Sequence, residues 1–336
     1  MSGTDTPYVD IRGLRVTFGD GRKQVRAVNG VDLQVQRGEA VALIGESGSG
    51  KSVTLRSLLR LHPPKRTKIE GAIRVGDTDV LGLAPGPLAA FRGKVAAMIF
   101  QEPLLAMDPV YPVGAQIVEA IRRHEPVTQA EAHARALQLF ERVRIPSPER
   151  RLQAYPHEMS GGMRQRAMIA LALACRPQLL LADEPTTALD ATVQIQILLL
   201  LRELQRELGL SVIFVTHDIG AAVEIADRIA VMYAGRIVEE GPAATLIRAP
   251  RHPYTLALLR SRADGALAKG TRLQTIPGAP PDLSALPAGC AFAERCGLAL
   301  PICRDTQPDS VRPVAGHAVR CLRTDATAPI LDGATP

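Results

Sequence analysis

The stretch Gly45-Glu46-Ser47-Gly48-Ser49-Gly50-Lys51-Ser52 has the G-x-x-x-x-G-K-S pattern of a phosphate-binding loop. Residues 41–44 before it are apolar, as in a strand buried on both faces, and residues 53–60 carry apolar side chains at helical spacing. The glycines let backbone N–H groups and the N-terminus of the following helix point at one anion. In such a loop the lysine contacts the phosphates and the last serine binds Mg²⁺. The sequence therefore predicts a nucleotide site lined by Gly45, Ser47, Gly48, Ser49, Gly50, Lys51, Ser52 and Val53.

Composition and charge are those of an ordinary globular protein of 336 residues, with 46% hydrophobic and 22% charged residues. The net charge of +6 is spread without a run of five basic residues, and aromatic residues make up only 3%. Both features argue against a nucleic-acid partner. The polar residues 1–10 are no secretory signal, and no apolar stretch reaches 18 residues, so we expect a soluble, cytoplasmic protein without disulfides.

Predicted strands alternate with predicted helices along most of the chain, which indicates an α/β fold with a parallel sheet. The buried strands are predicted at 41–44, 95–100, 179–182, 211–215 and 229–233. Ligands of such sheets bind beyond the carboxyl ends of the strands. Five polar residues come directly after a predicted strand or after the loop that follows a strand. They are Lys51, Gln101, Asp183, Glu184 and His217.

The rest of the chain divides into three further parts. Alternating residues at 31–35 and a β pair at 71–81, with its turn at 76–77, predict an antiparallel β subdomain. Helical periodicity between prolines predicts a helical insertion at about 103–175. We place the main domain at 1–250 and a C-terminal extension at 251–336, which ends in a disordered tail from residue 322.

Asp183 and Glu184 follow four apolar residues, as a carboxylate pair at the end of a buried strand would. The first is well placed to hold Mg²⁺ through water. The second can orient and deprotonate an attacking water, and a positioned base contributes roughly 10²–10⁴-fold to a rate. An acidic pair on the surface is the alternative, which the apolar residues before the pair and Pro185 after it disfavour.

Ser160-Gly161-Gly162 begins a predicted helix and indicates a second anion site, because a serine cap and two glycines leave N–H groups open. With this segment the chain resembles the nucleotide-binding subunit of ATP-binding cassette (ABC) transporters over residues 8 to about 245. The motifs in that family's order are the phosphate loop, Gln101, Ser160-Gly161-Gly162, Asp183-Glu184, Ala188-Leu189-Asp190 and His217. The resemblance implies a P-loop NTPase (RecA-like) core that binds ATP and Mg²⁺.

The same resemblance implies a head-to-tail dimer in which each ATP lies between one protomer's phosphate loop and the other's Ser160-Gly161-Gly162. Gln101 would sense Mg²⁺ and report to a membrane subunit, and Asp190 would act across the dimer. His217 would contact the γ-phosphate and align water with Glu184. Phe18 is the candidate for stacking on adenine, with core packing as the alternative.

The C-terminal extension resembles that of importers of dipeptides, oligopeptides and nickel, through His252-Pro253-Tyr254-Thr255, Ile276-Pro277-Gly278 and a cysteine cluster at 290–321. The resemblance makes a four-iron, four-sulfur cluster the favoured interpretation of these cysteines, with zinc or reduced thiols packed as small hydrophobes as alternatives. The cysteines are Cys290, Cys296, Cys303 and Cys321. Cys175, in an apolar helix, is expected in the core.

We therefore expect the ATPase subunit of a bacterial peptide importer, peripheral on the cytoplasmic face of the inner membrane. The resemblance implies two integral-membrane permease subunits, an extracytoplasmic binding protein as an indirect partner, and a related second ATPase subunit, with a homodimer as the alternative. Nickel or another small solute is the rival cargo. A soluble ABC ATPase acting on DNA or ribosomes, or a P-loop kinase, fits less well.

Overall fold

The computed structural model describes residues 6–19, 24–187, 189–261 and 276–324. Two of the predictions fall partly outside these ranges, namely Ala188 of the Ala188-Leu189-Asp190 motif and the tail from residue 325 onward.

The strands and helices of these ranges follow the predicted alternation closely. The strands are β1 (Val9–Gly19), β2 (Gln24–Val35), β3 (Ala40–Ile44), β4 (Thr67–Val75), β5 (Thr78–Asp79), β6 (Ala96–Ile99), β7 (Leu179–Asp183), β8 (Ser211–Thr216), β9 (Arg228–Tyr233), β10 (Arg236–Pro242), β11 (Val311–Val314) and β12 (His317–Val319). The helices are α1 (Lys51–Leu58), α2 (Pro85–Lys94), α3 (Pro103–Ala106), α4 (Val113–His124), α5 (Gln129–Arg142), α6 (Pro148–Leu152), α7 (Gly161–Leu173), α8 (Ala191–Leu208), α9 (Ile219–Ile225), α10 (Ala243–Arg248), α11 (Pro253–Arg260) and α12 (Ile302–Asp305).

The described strands form a mixed sheet and a smaller antiparallel sheet. The mixed sheet has the order β11-β12-β10-β9-β3-β8-β7-β6, in which β9, β3, β8, β7 and β6 are parallel neighbours. The antiparallel sheet has the order β2-β1-β4-β5. This arrangement confirms the predicted α/β fold with an antiparallel β subdomain.

The central strand β3 explains why its sequence is continuously apolar. Val41 and Leu43 pack into one core cluster, whereas Ala42 and Ile44 pack into the other. Both faces of the sheet are therefore covered, and no position of the strand is left for a polar side chain.

Strand β4 and helix α2 are two of the elements that differ from the sequence prediction. Strand β4 begins at Thr67, four residues before the predicted start, because Gly71 lies inside the strand rather than at its beginning. A Cβ at Gly71 would lie 2.6 Å from the carbonyl oxygen of Arg12, and the β1–β4 register shifts at this point, as in a β-bulge. The prediction misses α2 entirely, because two prolines and two glycines in ten residues hide its helical character.

The segment between β6 and β7 contains helices α3 to α7. Helix α5 begins at a capping box, in which Thr128 accepts a hydrogen bond from the N–H of Glu131 and returns its own N–H to the Glu131 carboxylate. Glu125, after α4, pairs with Arg135 of α5 at 2.7 Å. This ion pair joins the end of α4 to α5.

The C-terminal extension is hydrogen-bonded to the mixed sheet. Strand β12 pairs antiparallel with β10, with Val319 opposite Glu239. His317 Nε2 lies 2.7 Å from the Glu239 carboxylate, and both side chains are buried. Arg320 reaches Asp32 of β2 at 3.4 Å. None of the described helices has both the length and the apolar character needed to cross a membrane.

Candidate active site

The phosphate loop lies between β3 and α1, pressed against neighbouring backbone. Gly50 precedes the helix with φ +102°, and a Cβ there would lie 2.4 Å from the carbonyl oxygen of Ala27. A Cβ at Gly45 would lie 2.2 Å from the carbonyl oxygen of Met232. Any larger residue would therefore push the loop away from β2 or β9, so its path depends on glycine at both positions.

Lys51 is buried at the start of α1 with its ammonium turned into the loop. Its Nζ donates hydrogen bonds to the carbonyl oxygens of Gly45, at 2.8 Å, and Glu46, at 2.9 Å. Burial lowers the pKa of the Lys51 ammonium, while the nearby carboxylates of Glu184 and Asp183 oppose that shift. The side chain thus places a positive charge in a concave, partly desolvated loop.

Ser52 and Asp183, both predicted Mg²⁺ ligands, are in direct contact. The Ser52 hydroxyl donates to Asp183 Oδ1 at 2.6 Å, and Arg56 donates to Oδ2 at 3.2 Å. Asp183 is completely buried at the end of β7. A hydroxyl beside a carboxylate is a donor set that suits a hard divalent cation such as Mg²⁺. The sequence reasoning missed Arg56, although it lies one helical turn after Ser52.

Glu184 is the point at which the predicted catalytic residues meet. Its Oε2 accepts hydrogen bonds from Gln101 Nε2, at 3.4 Å, and from the Thr187 hydroxyl, at 2.9 Å. His217 Nδ1 lies 3.4 Å from the same oxygen. The backbone of Glu184 has φ +46°, a strained conformation for a residue with a side chain and one often found at functional sites. Thr187 was not predicted, and a threonine in a turn gives little signal.

Ser160 caps α7, as predicted, with its hydroxyl accepting a hydrogen bond from the N–H of Met163 at 3.3 Å. The adjoining glycines pack against the start of α8, where a Cβ at Gly162 would lie 2.8 Å from Val193. Asp190 caps α8 through the N–H of Val193. Among the described residues, no hydrogen bond or ion pair joins Ser160-Gly161-Gly162 to the phosphate loop of the same chain.

Phe18 is half-buried near the end of β1, where its ring meets the ring of His62 edge to face at 5.3 Å. His62 Nε2 lies 3.1 Å from the carbonyl oxygen of Val53, two residues after the loop lysine. The predicted adenine-stacking residue is therefore linked to the first turn of α1 through one histidine, and it also packs against the core beneath the antiparallel sheet.

The four clustered cysteines line one small cavity of about 20 Å³, together with His252 and Phe292. Burial raises the pKa of the Cys290, Cys296 and Cys321 thiols, that of Cys321 to about 11. Within the described residues, no group of three or more His, Cys, Asp or Glu side chains is arranged to hold a metal ion. The convergence of the thiols is thus observed, but the iron–sulfur prediction is not confirmed. Cys175 lies in the core, as expected.

Comparison with known families agrees with these features. A family model described as "ABC transporter" matches residues 28–187, and one described as "Oligopeptide/dipeptide transporter, C-terminal region" matches residues 238–303. A Brucella melitensis protein, provisionally named a peptide import ATP-binding protein, is 48% identical over 328 residues, which cover 94% of this chain and 97% of that protein. The oligopeptide transport ATP-binding protein OppD of Bacillus subtilis is 43% identical over 325 residues, which cover 96% and 91% of the two chains.

A solved structure of the ATP-binding cassette MJ0796, a dimer in a post-hydrolysis state bound to ADP and Pi, is similar to this fold. Its TM-score is 0.63 at 29% identity, over 70% of this chain and 98% of that one. Together with the phosphate loop and the contacts around Glu184, these similarities show that the chain belongs to the ABC transporter family, as an ATPase subunit with the C-terminal region of the oligopeptide/dipeptide transporters.

Proposed function

We propose that this chain hydrolyses ATP to drive a bacterial importer of dipeptides or oligopeptides. The observation that carries the catalytic part is the meeting of Gln101, Thr187 and His217 on one oxygen of Glu184. The names of the relatives, and the type of the C-terminal region, support the peptide cargo. Nickel or another small solute is the alternative cargo, because an ATPase subunit need not touch the solute.

In the proposed reaction, the phosphate loop holds the nucleotide and Lys51 neutralises charge on the β- and γ-phosphates. Ser52 and Asp183 would hold Mg²⁺, which supplies electrostatic stabilisation of the transferred phosphoryl group when bound. Gln101 lies beside Glu184 and would sense the same ion. Phe18 would stack on the adenine.

Glu184 would take the proton from the attacking water, and His217 would hold that water and the γ-phosphate in line. The side chain of Glu184 is only 19% exposed, whereas that of His217 is 67% exposed. The base is therefore shielded from bulk water while the histidine stands at the open side of the site. A γ-phosphate at that opening would meet His217 first, which suits a residue that reports on the bound nucleotide.

We further propose that the open side is closed by a second ATPase subunit, whose residues equivalent to Ser160, Gly161, Gly162 and Asp190 complete the site. The dimeric state of the similar MJ0796 structure supports this arrangement. A related but different ATPase subunit is the favoured partner, and a second copy of this chain is the alternative.

An exposed apolar segment after Gln101 supports contact with permease subunits. Leu104, Val110 and Tyr111 are 49%, 68% and 57% exposed, respectively. Apolar side chains so exposed, next to the proposed Mg²⁺ sensor, suit a site where two integral-membrane permease subunits dock. We therefore propose that the chain lies on the cytoplasmic face of the inner membrane, with the extracytoplasmic binding protein as an indirect partner.

The peptide-import proposal is tested by co-expressing the tagged chain with the permease genes next to its own gene and purifying the complex in detergent. We expect two multi-span permeases and a second ATPase by mass determination, and ATP-dependent uptake of peptide after reconstitution into vesicles with the binding protein. Uptake of Ni²⁺ but not peptide would favour the alternative cargo. Absence of any membrane protein from the complex would contradict the proposal.

We propose that the four converging thiols hold an iron–sulfur cluster, although in the described residues their side chains are not arranged as a metal site. Protein purified without oxygen should contain iron and acid-labile sulfide, and Cys303→Ser should lose both, whereas Cys175→Ser should keep them. Zinc in place of iron, or neither metal, would contradict the cluster.

A further inference from the structure

The C-terminal extension contacts the phosphate loop through a buried arginine. Arg295 ends a short 3₁₀ turn, Ala293–Arg295, between Cys290 and Cys296, and its side chain is only 5% exposed. Its Nη1 and Nη2 donate to the two carboxylate oxygens of Glu46 at 2.7 Å and 2.9 Å. Glu46 is the second residue of the loop, so the extension and the nucleotide site meet at a two-pronged ion pair.

The remaining donors of Arg295 fix the guanidinium in place. Nε donates to the carbonyl oxygen of Pro277 at 2.8 Å, and Nη1 also reaches the Tyr233 hydroxyl at 3.2 Å. A planar guanidinium held at three sides has little freedom to follow a moving carboxylate. The position of Glu46 is therefore determined by the extension rather than by the loop alone.

The backbone of Glu46 is held as well. Its N–H donates to the hydroxyl of Tyr254 in α11 at 2.8 Å, and its carbonyl oxygen accepts from Lys51 Nζ at 2.9 Å. Tyr254 is fully buried against Tyr233 and Phe292. A displacement of Glu46 would thus move the carbonyl to which the loop lysine is bonded.

We infer that Arg295 is a positioning residue for ATP binding, which acts through Glu46 to hold the phosphate loop and Lys51 in their binding geometry. The C-terminal extension thereby supports the nucleotide site from outside the phosphate loop. The inference rests on the proposed role of the loop, and a displacement of about 1 Å is enough to cost an active site much of its efficiency.

The test measures the dissociation constant of Mg-ATP for the full-length chain, with the melting temperature recorded with and without ATP. We expect Arg295→Gln and Glu46→Gln each to raise the dissociation constant about tenfold, and the double variant to raise it no further, because both act through one pair. The dissociation constant of Arg295→Lys should lie between those of wild type and Arg295→Gln. A purely structural role would lower the melting temperature but leave the ATP-induced shift unchanged.

Arg320→Gln is the matched control, since it also removes an arginine that joins the extension to the main domain, at Asp32. Its dissociation constant should stay within twofold of wild type. The inference is overturned if Glu46→Gln and Arg295→Gln bind ATP like wild type, or if Arg320→Gln weakens binding equally. If Arg295→Gln fails to fold, the dissociation constant of Glu46→Gln alone tests the inference. Normal ATP binding by Lys51→Ala would instead refute the proposed nucleotide site itself.

Discussion

His217 Nδ1 lies 3.4 Å from Oε2 of Glu184, although the two residues are 33 positions apart in the sequence. The two residues directly follow different strands, β8 and β7, which are parallel neighbours in the sheet. Their side chains meet because the carboxyl ends of parallel strands share one edge.

Glu184→Gln should bind ATP normally and hydrolyse it at least 10²-fold more slowly, since glutamine keeps the shape but cannot accept a proton. Steady-state phosphate release and nucleotide binding would be measured on the same sample. Glu207→Gln is the control, because Glu207 lies on the exposed side of α8 in an ion pair with Arg142. Wild-type turnover in Glu184→Gln would exclude Glu184 as the base.

Thr187→Val should lower turnover about tenfold, because the lost hydrogen bond to a charged carboxylate is worth about 1.5 kcal/mol. Thr187→Ser restores the hydroxyl and should recover most of the rate. If Thr187→Ser turns over ATP as slowly as Thr187→Val, the methyl group rather than the hydroxyl is needed for turnover, and Thr187 does not orient Glu184.

Ser160→Asp and Ser160→Asn form a matched pair, because both side chains cap a helix as well as serine does. Only aspartate places a negative charge where the partner's ATP phosphates are proposed to lie. We therefore expect turnover of the assembled complex to fall at least tenfold in Ser160→Asp and much less in Ser160→Asn. Equal rates in the two variants would contradict a phosphate site at this helix.

Glu125→Gln should destabilise the protein in a pH-dependent way. The hydrogen bond from Arg135 lowers the pKa of Glu125 below its ordinary value of 4.5. The ion pair therefore stabilises the fold above that value, by about 1 kcal/mol for a partly exposed pair, and loses this effect as the pH falls through the lowered pKa. The free energy of unfolding would be measured with urea at pH 7 and at pH 4. The difference in this free energy between wild type and variant should be smaller at pH 4, and an equal difference at the two pH values would contradict the prediction.

The residues that follow strands could be predicted from sequence, because a strand end and a parallel sheet fix their location without knowledge of distant contacts. Gln101, Asp183, Glu184 and His217 are of this kind. The pair Glu46–Arg295 could not be predicted from sequence, because it joins residues that are 249 positions apart and because arginine is common on protein surfaces. Only the packing of the extension against the loop distinguishes this arginine from the others.

The pairing of β12 with β10 gives residues near the end of the chain a protective role. A chain cut before His317 would leave β10 as a bare edge, with unpaired N–H and C=O groups that can recruit strands from other molecules. It would also leave the Glu239 carboxylate buried without its histidine. Proteolytic loss of the residues from His317 onward should therefore make the ATPase prone to aggregate, even though every residue of the phosphate loop remains.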